Sequence, residues 1–216
     1  MSGRERHVQN GQQTFEASYQ GQELGEFVLK QPGRFNVENA LAAMAPALYL
    51  GVKPDVIRQA LAEFNGTWRR FQVLGQWRDA LVISDYAHHP AAVSLLVQAT
   101  KEFYPGRRVV MAFQPHHHHR TKSLFKEFVE SFDGVDVLFM PEIYSVAGRE
   151  NSAEADISSR DLVQAIKARG QVGSVEYAPD LVKLNEVVTA GVKPDDIILY
   201  VGAGDIYLAA EKLIQG

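Results

Sequence analysis

Apolar and polar positions along this chain follow two rhythms. Between residues 13 and 30 the period is two. Thr14-Phe15-Glu16-Ala17-Ser18-Tyr19 and Leu24-Gly25-Glu26-Phe27-Val28-Leu29 flank Gln20-Gly21-Gln22, which predicts a β-hairpin. Pro32-Gly33 ends that pattern. The period then becomes helical over 37–50, with Val37, Leu41, Met44 and Leu48 on one stripe. Pro46 should kink or shorten that helix, and Gly51 is placed to end it. A second helix, 54–64, would turn Ile57, Leu61 and Phe64 inward. The polar run Asn65-Gly66-Thr67-Trp68-Arg69-Arg70 reads as a linker, which predicts domains at 1–70 and 71–216.

Beyond the linker, short apolar runs alternate with helical patterns. Strands are expected at 71–77, 80–84, 108–113, 135–140, 173–177 and 196–201. Helices are expected at 90–104, 121–132, 159–169, 180–190 and 205–214. This alternation predicts an α/β fold, a Rossmann-like and mostly parallel sheet with helices on both faces. Arg78-Asp79 joins the first two strands as a hairpin, so one strand would run antiparallel.

That topology brings three polar clusters into register. Asp85-Tyr86-Ala87-His88-His89-Pro90 follows the second of these strands, with Pro90 in the favoured first turn of a helix. Gln114-Pro115-His116-His117-His118-His119-Arg120 follows the third, and Gly202-Ala203-Gly204-Asp205 the last. All three should meet at the carboxyl ends of the strands, where open α/β sheets bind ligands.

Composition narrows the class. Apolar residues make up 46% of the 216, enough for a substantial core, and the formal charge of −4 with no basic run argues against a nucleic-acid binder. The chain has no cysteine, which excludes disulfides, thiolate catalysis and zinc–thiolate sites. It has no apolar stretch of membrane-spanning length and no signal-peptide core after Met1, so a soluble cytoplasmic protein without a membrane partner is expected.

Each cluster has a bland reading beside a functional one. Asp85, His88 and His89 form a ligand site, or else Asp85 caps loop amides while the imidazoles bond backbone carbonyls. His116 to His119 bind a metal, or serve with Arg120 to bind an anion, or are simply solvated. In an extended loop at most two of these histidines share one ion, and no carboxylate is adjacent. Gly202-Ala203-Gly204 cradles a phosphate or allows tight strand–helix packing, with Asp205 as a possible N-cap. Arg69-Arg70 faces a nucleotide phosphate or solvent. Asn36 and Asn39 face a base or ribose, but capping of the first helix by Asn36 is the simpler reading.

Several stretches together resemble the Mur ligases of peptidoglycan synthesis. They are Gly33-Arg34-Phe35-Asn36-Val37-Glu38-Asn39-Ala40-Leu41-Ala42-Ala43, Phe64 to Phe71, Asp85 to Pro90, Phe113-Gln114-Pro115-His116 with Arg120-Thr121, Tyr144 with Ala147-Gly148, and Gly202 to Ile206. They stand in family order over nearly the whole chain. Tyr86-Ala87-His88-His89-Pro90 and Phe113-Gln114-Pro115-His116 lean toward the alanine-adding branch; a branch that attaches a murein peptide to the same sugar nucleotide is the main competitor.

The resemblance implies ATP and Mg²⁺ as cofactors and L-alanine and UDP-N-acetylmuramate as substrates, joined through an acyl phosphate. It implies that Asn36 and Asn39 lie near the adenine, Arg70 near the phosphates and Asp85 near the ribose. Tyr86, His88, His116, His117 and Arg120 would receive the amino acid, His88 and Arg120 being the catalytic pair. It implies no protein metal site here, since the family's magnesium ligands belong mostly to the central domain, and the chain has no Gly-x-x-Gly-Lys-Thr loop to hold the ATP phosphates. Residues 1–70 then correspond to the end of the family's central ATPase domain and 71–216 to its C-terminal domain, and no ATP turnover is expected from these residues alone. The missing ligase domains in trans, a non-catalytic binding module and a histidine-based metal protein are the competing expectations.

Three positions depart from the family pattern. His117 stands where the alanine-adding branch has arginine, Phe35 where it has histidine, and Ser84 where a second aspartate is common. Arginine keeps its charge and forks onto a carboxylate; histidine is charged only when protonated.

Overall fold

The computed structural model describes residues 1–9, 11–145 and 156–215, with the side chain of Glu5 left aside. The chain divides into two compact units, one of residues 1–67 with 98–105 and one of residues 68–97 with 106–216.

In the first unit, β1 (Ser2–Gln9), β2 (Gln12–Tyr19) and β3 (Gln22–Leu29) form an antiparallel sheet in the order β1-β2-β3. The expected hairpin is β2–β3. Its two-residue turn, Gln20-Gly21, has φ of 51° and 82°, the positive values a type I′ connection needs. Phe15 and Phe27 are register partners and stack at 5.7 Å. The sequence pattern did not reveal β1, which carries a single large apolar residue, Val8; ladder pairing and the pairing of Arg4 with Glu23 hold it.

Two helices cover the sheet, α1 (Arg34–Tyr49) and α2 (Pro54–Glu63). Val37, Ala40 and Met44 from α1 and Ile57 from α2 close the core over Phe15, Ala17, Phe27 and Leu29. The helix expected from residue 37 begins three residues earlier, because Gly33 adopts φ 88° and frees the chain to turn at once into α1. Pro46 does not stop α1, which runs on to Tyr49. The helix ends in a Schellman motif: Gly51, at φ 84°, donates to Leu48, and Val52 donates to Ala47. Phe64, expected inside, lies past the end of α2 and is 45% exposed.

The second unit is a six-stranded sheet in the order β4-β5-β9-β6-β7-β8. Its strands are β4 (Gln72–Trp77), β5 (Ala80–Asp85), β6 (Val109–Phe113), β7 (Val137–Met140), β8 (Ser174–Tyr177) and β9 (Ile197–Val201). All neighbours run parallel except β4 and β5, so the mostly parallel sheet with one antiparallel strand stands as read. The β4–β5 ladder shifts register between Val73 and Gly75, a bulge in an edge strand.

The connecting helices are α3 (Pro90–Phe103), α4 (His118–Ser123), α5 (Phe125–Glu130), α6 (Ser159–Arg169), α7 (Leu181–Gly191) and α8 (Ile206–Gln215). β6 and β9 are buried along their whole length, as parallel strands covered on both faces must be. The single helix expected at 121–132 is two short ones. Leu124, at φ −114°, interrupts it, and α4 starts early enough to take in His118 and His119.

Candidate functional site

Three strand ends set the site in the second unit. Asp85, Val201 and Phe113 are register partners across β5, β9 and β6. The loops that leave these strands are tied to one another. Gly202 N–H donates to Asp85 O at 3.1 Å, and Gln114 N–H donates to Val201 O at 2.9 Å. The convergence expected from chain direction is therefore what the fold builds.

Asp85 follows its bland reading closely. Its Oδ2 accepts from Phe71 N–H and its Oδ1 from Ala87 N–H, both at 2.7 Å, and the residue is 8% exposed. Burial pushes its carboxyl above the ordinary range, against the pull of those two amides and of Arg70 and Arg69. A clamp between the start of β4 and the loop after β5 is thus its first task.

Arg69 is buried, which adjacency to Arg70 in the sequence did not suggest. Its guanidinium lies 4.6 Å from the Tyr207 ring centroid, 4.8 Å from Tyr86 and 5.3 Å from Trp68. It donates through Nη2 to Gly202 O, and its own carbonyl accepts from Tyr86 N–H. Arg70 is exposed and passes over the Tyr86 ring at 5.4 Å. The phosphate-facing reading therefore suits Arg70 and not Arg69.

The imidazoles form a chain of rings. Tyr86 meets His88 edge-on at 5.3 Å, and His88 lies 6.5 Å from His116. His116 stacks on Tyr144 at 5.3 Å and meets His117 edge-on at 4.1 Å. Tyr144 is held there by backbone bonds, its N–H donating to Pro115 O and its carbonyl accepting from His117 N–H. His117 has φ 69° and stands at the N-cap of α4, where its carbonyl accepts from Thr121. This shows the histidine run to be a tight turn into a helix, not the extended loop expected. Among the described residues there is no group of three or more His, Asp or Glu side chains placed to hold a metal ion. Ala147 and Gly148, part of the family pattern, lie outside the described residues.

His88 has a defined tautomer. Nδ1 lies 3.0 Å from Tyr86 O, so in the neutral ring Nδ1 carries the proton and Nε2 carries the lone pair. Burial lowers its pKa below 6.5, and the charges of Arg120, Arg70 and His89 lower it further, against the Tyr86 carbonyl. Arg120 is half-buried, and its Nη1 is shielded from solvent with no hydrogen-bond partner among the described residues.

Gly202 and Gly204 are explained by packing. A Cβ on Gly204 would stand 2.6 Å from both Gln114 Oε1 and Tyr144 Cγ, and one on Gly202 2.8 Å from Gln114 O. Asp205 accepts from Gln114 Nε2 at 2.9 Å, while Gln114 Oε1 accepts from Ile206 N–H at the start of α8. Gln114, rather than Asp205, is the side chain that caps this amide.

The first unit carries its own cavity, of about 400 Å³, with Leu29, Gln31, Asn36, Asn39, Ala40 and Phe64 in its walls. Asn36 does not cap α1; it sits within the first turn and donates from Nδ2 to Pro32 O at 2.7 Å. Asn39 donates to Asn36 Oδ1 at 3.3 Å. Both residues lie in the wall of the same cavity. Gln31 and Tyr144 were not among the site residues read from the sequence, since long-range folding alone places them.

With this geometry in place, comparison with known proteins is decisive. The sequence profile of the Mur ligase glutamate ligase domain matches residues 69–204. The chain belongs to the Mur ligase family. Among family members it is similar to the UDP-N-acetylmuramate–L-alanine ligase of Caldanaerobacter subterraneus, 37% identical over 207 residues, covering 96% of this chain and 44% of that one. It is 40% identical over 204 residues to the ligase of the same name from Trichlorobacter lovleyi, covering 94% of this chain and 44% of that one. The crystal structure of the UDP-N-acetylmuramate–alanine ligase of Thermotoga maritima superposes with a TM-score of 0.82 at 27% identity, over 99% of this chain and 44% of that one. The chain thus spans less than half the length of these family members.

Proposed function

We propose that these residues form the amino-acid-receiving part of a UDP-N-acetylmuramate–L-alanine ligase, an ATP-dependent, amide-forming enzyme of peptidoglycan synthesis acting in the cytoplasm. The observation that carries this reading is the placement of His88, whose Nε2 holds the lone pair of the neutral ring, within the field of the half-buried Arg120 guanidinium. An α-amino acid presents a carboxylate beside an ammonium, and this pair offers a matching donor and acceptor.

ATP, as a substrate, supplies the phosphoryl group that activates the lactyl carboxylate of the sugar nucleotide. The Arg120 guanidinium donates to the carboxylate of alanine and orients it. His88 Nε2 accepts a proton from the ammonium, which frees the amine lone pair for attack on the activated carbonyl. The new C–N bond forms, the C–O bond to phosphate breaks, and phosphate leaves. His116, His117, Tyr86 and Tyr144 wall the site. Asn36 and Asn39 are assigned to the adenine and Arg70 to the phosphates. The resemblance assigns Asp85 to the ribose, a role its carboxylate would add to its hold on the loop. The described residues supply no shell for Mg²⁺, so no step here runs through the metal. The phosphate-holding Gly-Lys-Thr loop is absent from these 216 residues, so turnover requires it from elsewhere.

The test is an NMR titration of this chain with L-alanine that follows the histidine ring signals. Saturable shifts of His88 that vanish in Arg120→Ala are expected. No shift in the unaltered protein at saturating alanine would overturn the assignment.

A further inference from the structure

The polar segment between α2 and β4 carries a reactive pair that the proposed chemistry does not use. Asn65 is followed by Gly66, both outside any helix or strand, and Asn65 is exposed. Asparagine is among the chemically labile residues. Glycine has no Cβ to hold the chain away from the preceding side chain, so its nitrogen can approach that side chain closely. Gly66 N–H donates no hydrogen bond among the described residues.

The other half of the pair is held. Lys30 Nζ donates to Asn65 Oδ1 at 3.0 Å. Just ahead of it, Phe64 O accepts from Gln31 Nε2 at 3.2 Å, and Phe64 N–H donates to Leu61 O at 3.3 Å. The Lys30 ammonium draws electron density from the side-chain carbonyl. It also stands where negative charge would gather on Oδ1 if Cγ were attacked. An uncommitted nucleophile and a polarised electrophile are thus neighbours in the chain.

We propose that Asn65 is a self-modification site, at which the side-chain amide becomes a carboxylate with water as the co-reactant. Hydroxide takes the Gly66 amide proton, and the nitrogen attacks Asn65 Cγ while Lys30 faces the oxygen. The C–N bond that forms closes a succinimide ring. The bond from Cγ to Nδ2 breaks, and ammonia leaves with a proton from water, which restores the hydroxide. Water then opens the ring at either carbonyl, giving aspartate or isoaspartate. The net change consumes one water and releases one ammonia. The aspartate product turns the hydrogen bond to Lys30 into an ion pair. The isoaspartate product adds a methylene to the main chain of the segment that leads from the first unit into the second.

The experiment incubates the unaltered 216-residue chain at mildly alkaline pH and follows each asparagine by peptide mapping and mass spectrometry. Asn65 should exchange NH for O faster than Asn36, Asn39 or Asn185, which glycine does not follow. It should also convert faster than in a free peptide spanning Leu61 to Arg70. Lys30→Gln, which keeps a donor without the charge, should slow conversion about fivefold at low ionic strength, and added salt should narrow that gap. Lys30→Arg should keep the parent rate. A rate in the folded chain at or below that of the peptide, or equal rates in the parent and Lys30→Gln, overturns the proposal.

Discussion

The carboxylate of Asp85, at the end of β5, accepts the backbone N–H of Phe71, at the start of β4, at 2.7 Å. Phe71 has φ 46°, a left-handed conformation that an apolar residue adopts only when its surroundings hold it there. Asp85→Asn keeps the shape but turns one end of the side chain into a donor facing a donor. We expect a loss of about 1–3 kcal/mol in urea unfolding. A variant as stable as the parent would mean that the two amides find other acceptors.

Gly204 should tolerate no side chain. A Cβ there collides with Gln114 Oε1 and the Tyr144 ring, both of which are anchored. Gly204→Ala is predicted to cost about 1–3 kcal/mol of stability and to displace Tyr144 from His116. Near-ultraviolet circular dichroism and chemical denaturation read the two effects; an unchanged spectrum at parental stability would count against this packing.

The tautomer of His88 is open to direct observation. Long-range ¹⁵N–¹H correlation at alkaline pH should show its proton on Nδ1, where Tyr86 O accepts it. A proton on Nε2 would remove the lone pair that the proposed chemistry uses.

His88 also predicts a pH dependence. Its folded pKa lies below 6.5, so between the two values the unfolded chain binds more protons than the folded one. Stability from this group therefore rises with pH through that window and is lost as pH falls below 6.5. The parent should lose more stability than His88→Asn between about pH 7.5 and about pH 5.5. Parallel urea curves at the two pH values make the comparison, and equal losses would contradict it.

Arg69 and Arg70 are neighbours with opposite tasks. Arg69→Lys breaks a stacked arrangement that an ammonium cannot reproduce and should cost about 1–3 kcal/mol. Arg70→Lys, on an exposed side chain, should stay within about 0.5 kcal/mol. Thermal and urea unfolding of the pair decide this, and matching losses would refute the division.

Much of this was legible in the sequence because it depends on period and direction alone. Buried strands such as β6 and β9 are unbroken apolar runs, and parallel strands must release their loops at one edge. β1 was not legible: Ser2 to Gln9 has no apolar period, and only pairing with β2 makes it a strand. The early start of α1 turned on the backbone of Gly33, and the break between α4 and α5 on the dihedrals of Leu124. The site divides in the same way. His88 stands in a recognisable loop and Arg120 closes a recognisable histidine run, while Tyr144 and Gln31 gain their meaning from contacts with distant residues.

The bulge at Val73 and Gly75 has a consequence for how the second unit meets other chains. β4 is the outermost strand on its side, and Val73 on it is 51% exposed. A regular edge of that kind is a template on which a foreign strand can dock. The shifted ladder and the φ of 150° at Gly75 bend it out of true. An incoming strand would find hydrogen-bonding groups for about two or three residues and then lose step. The sheet thus carries at its antiparallel margin its own guard against polymerisation.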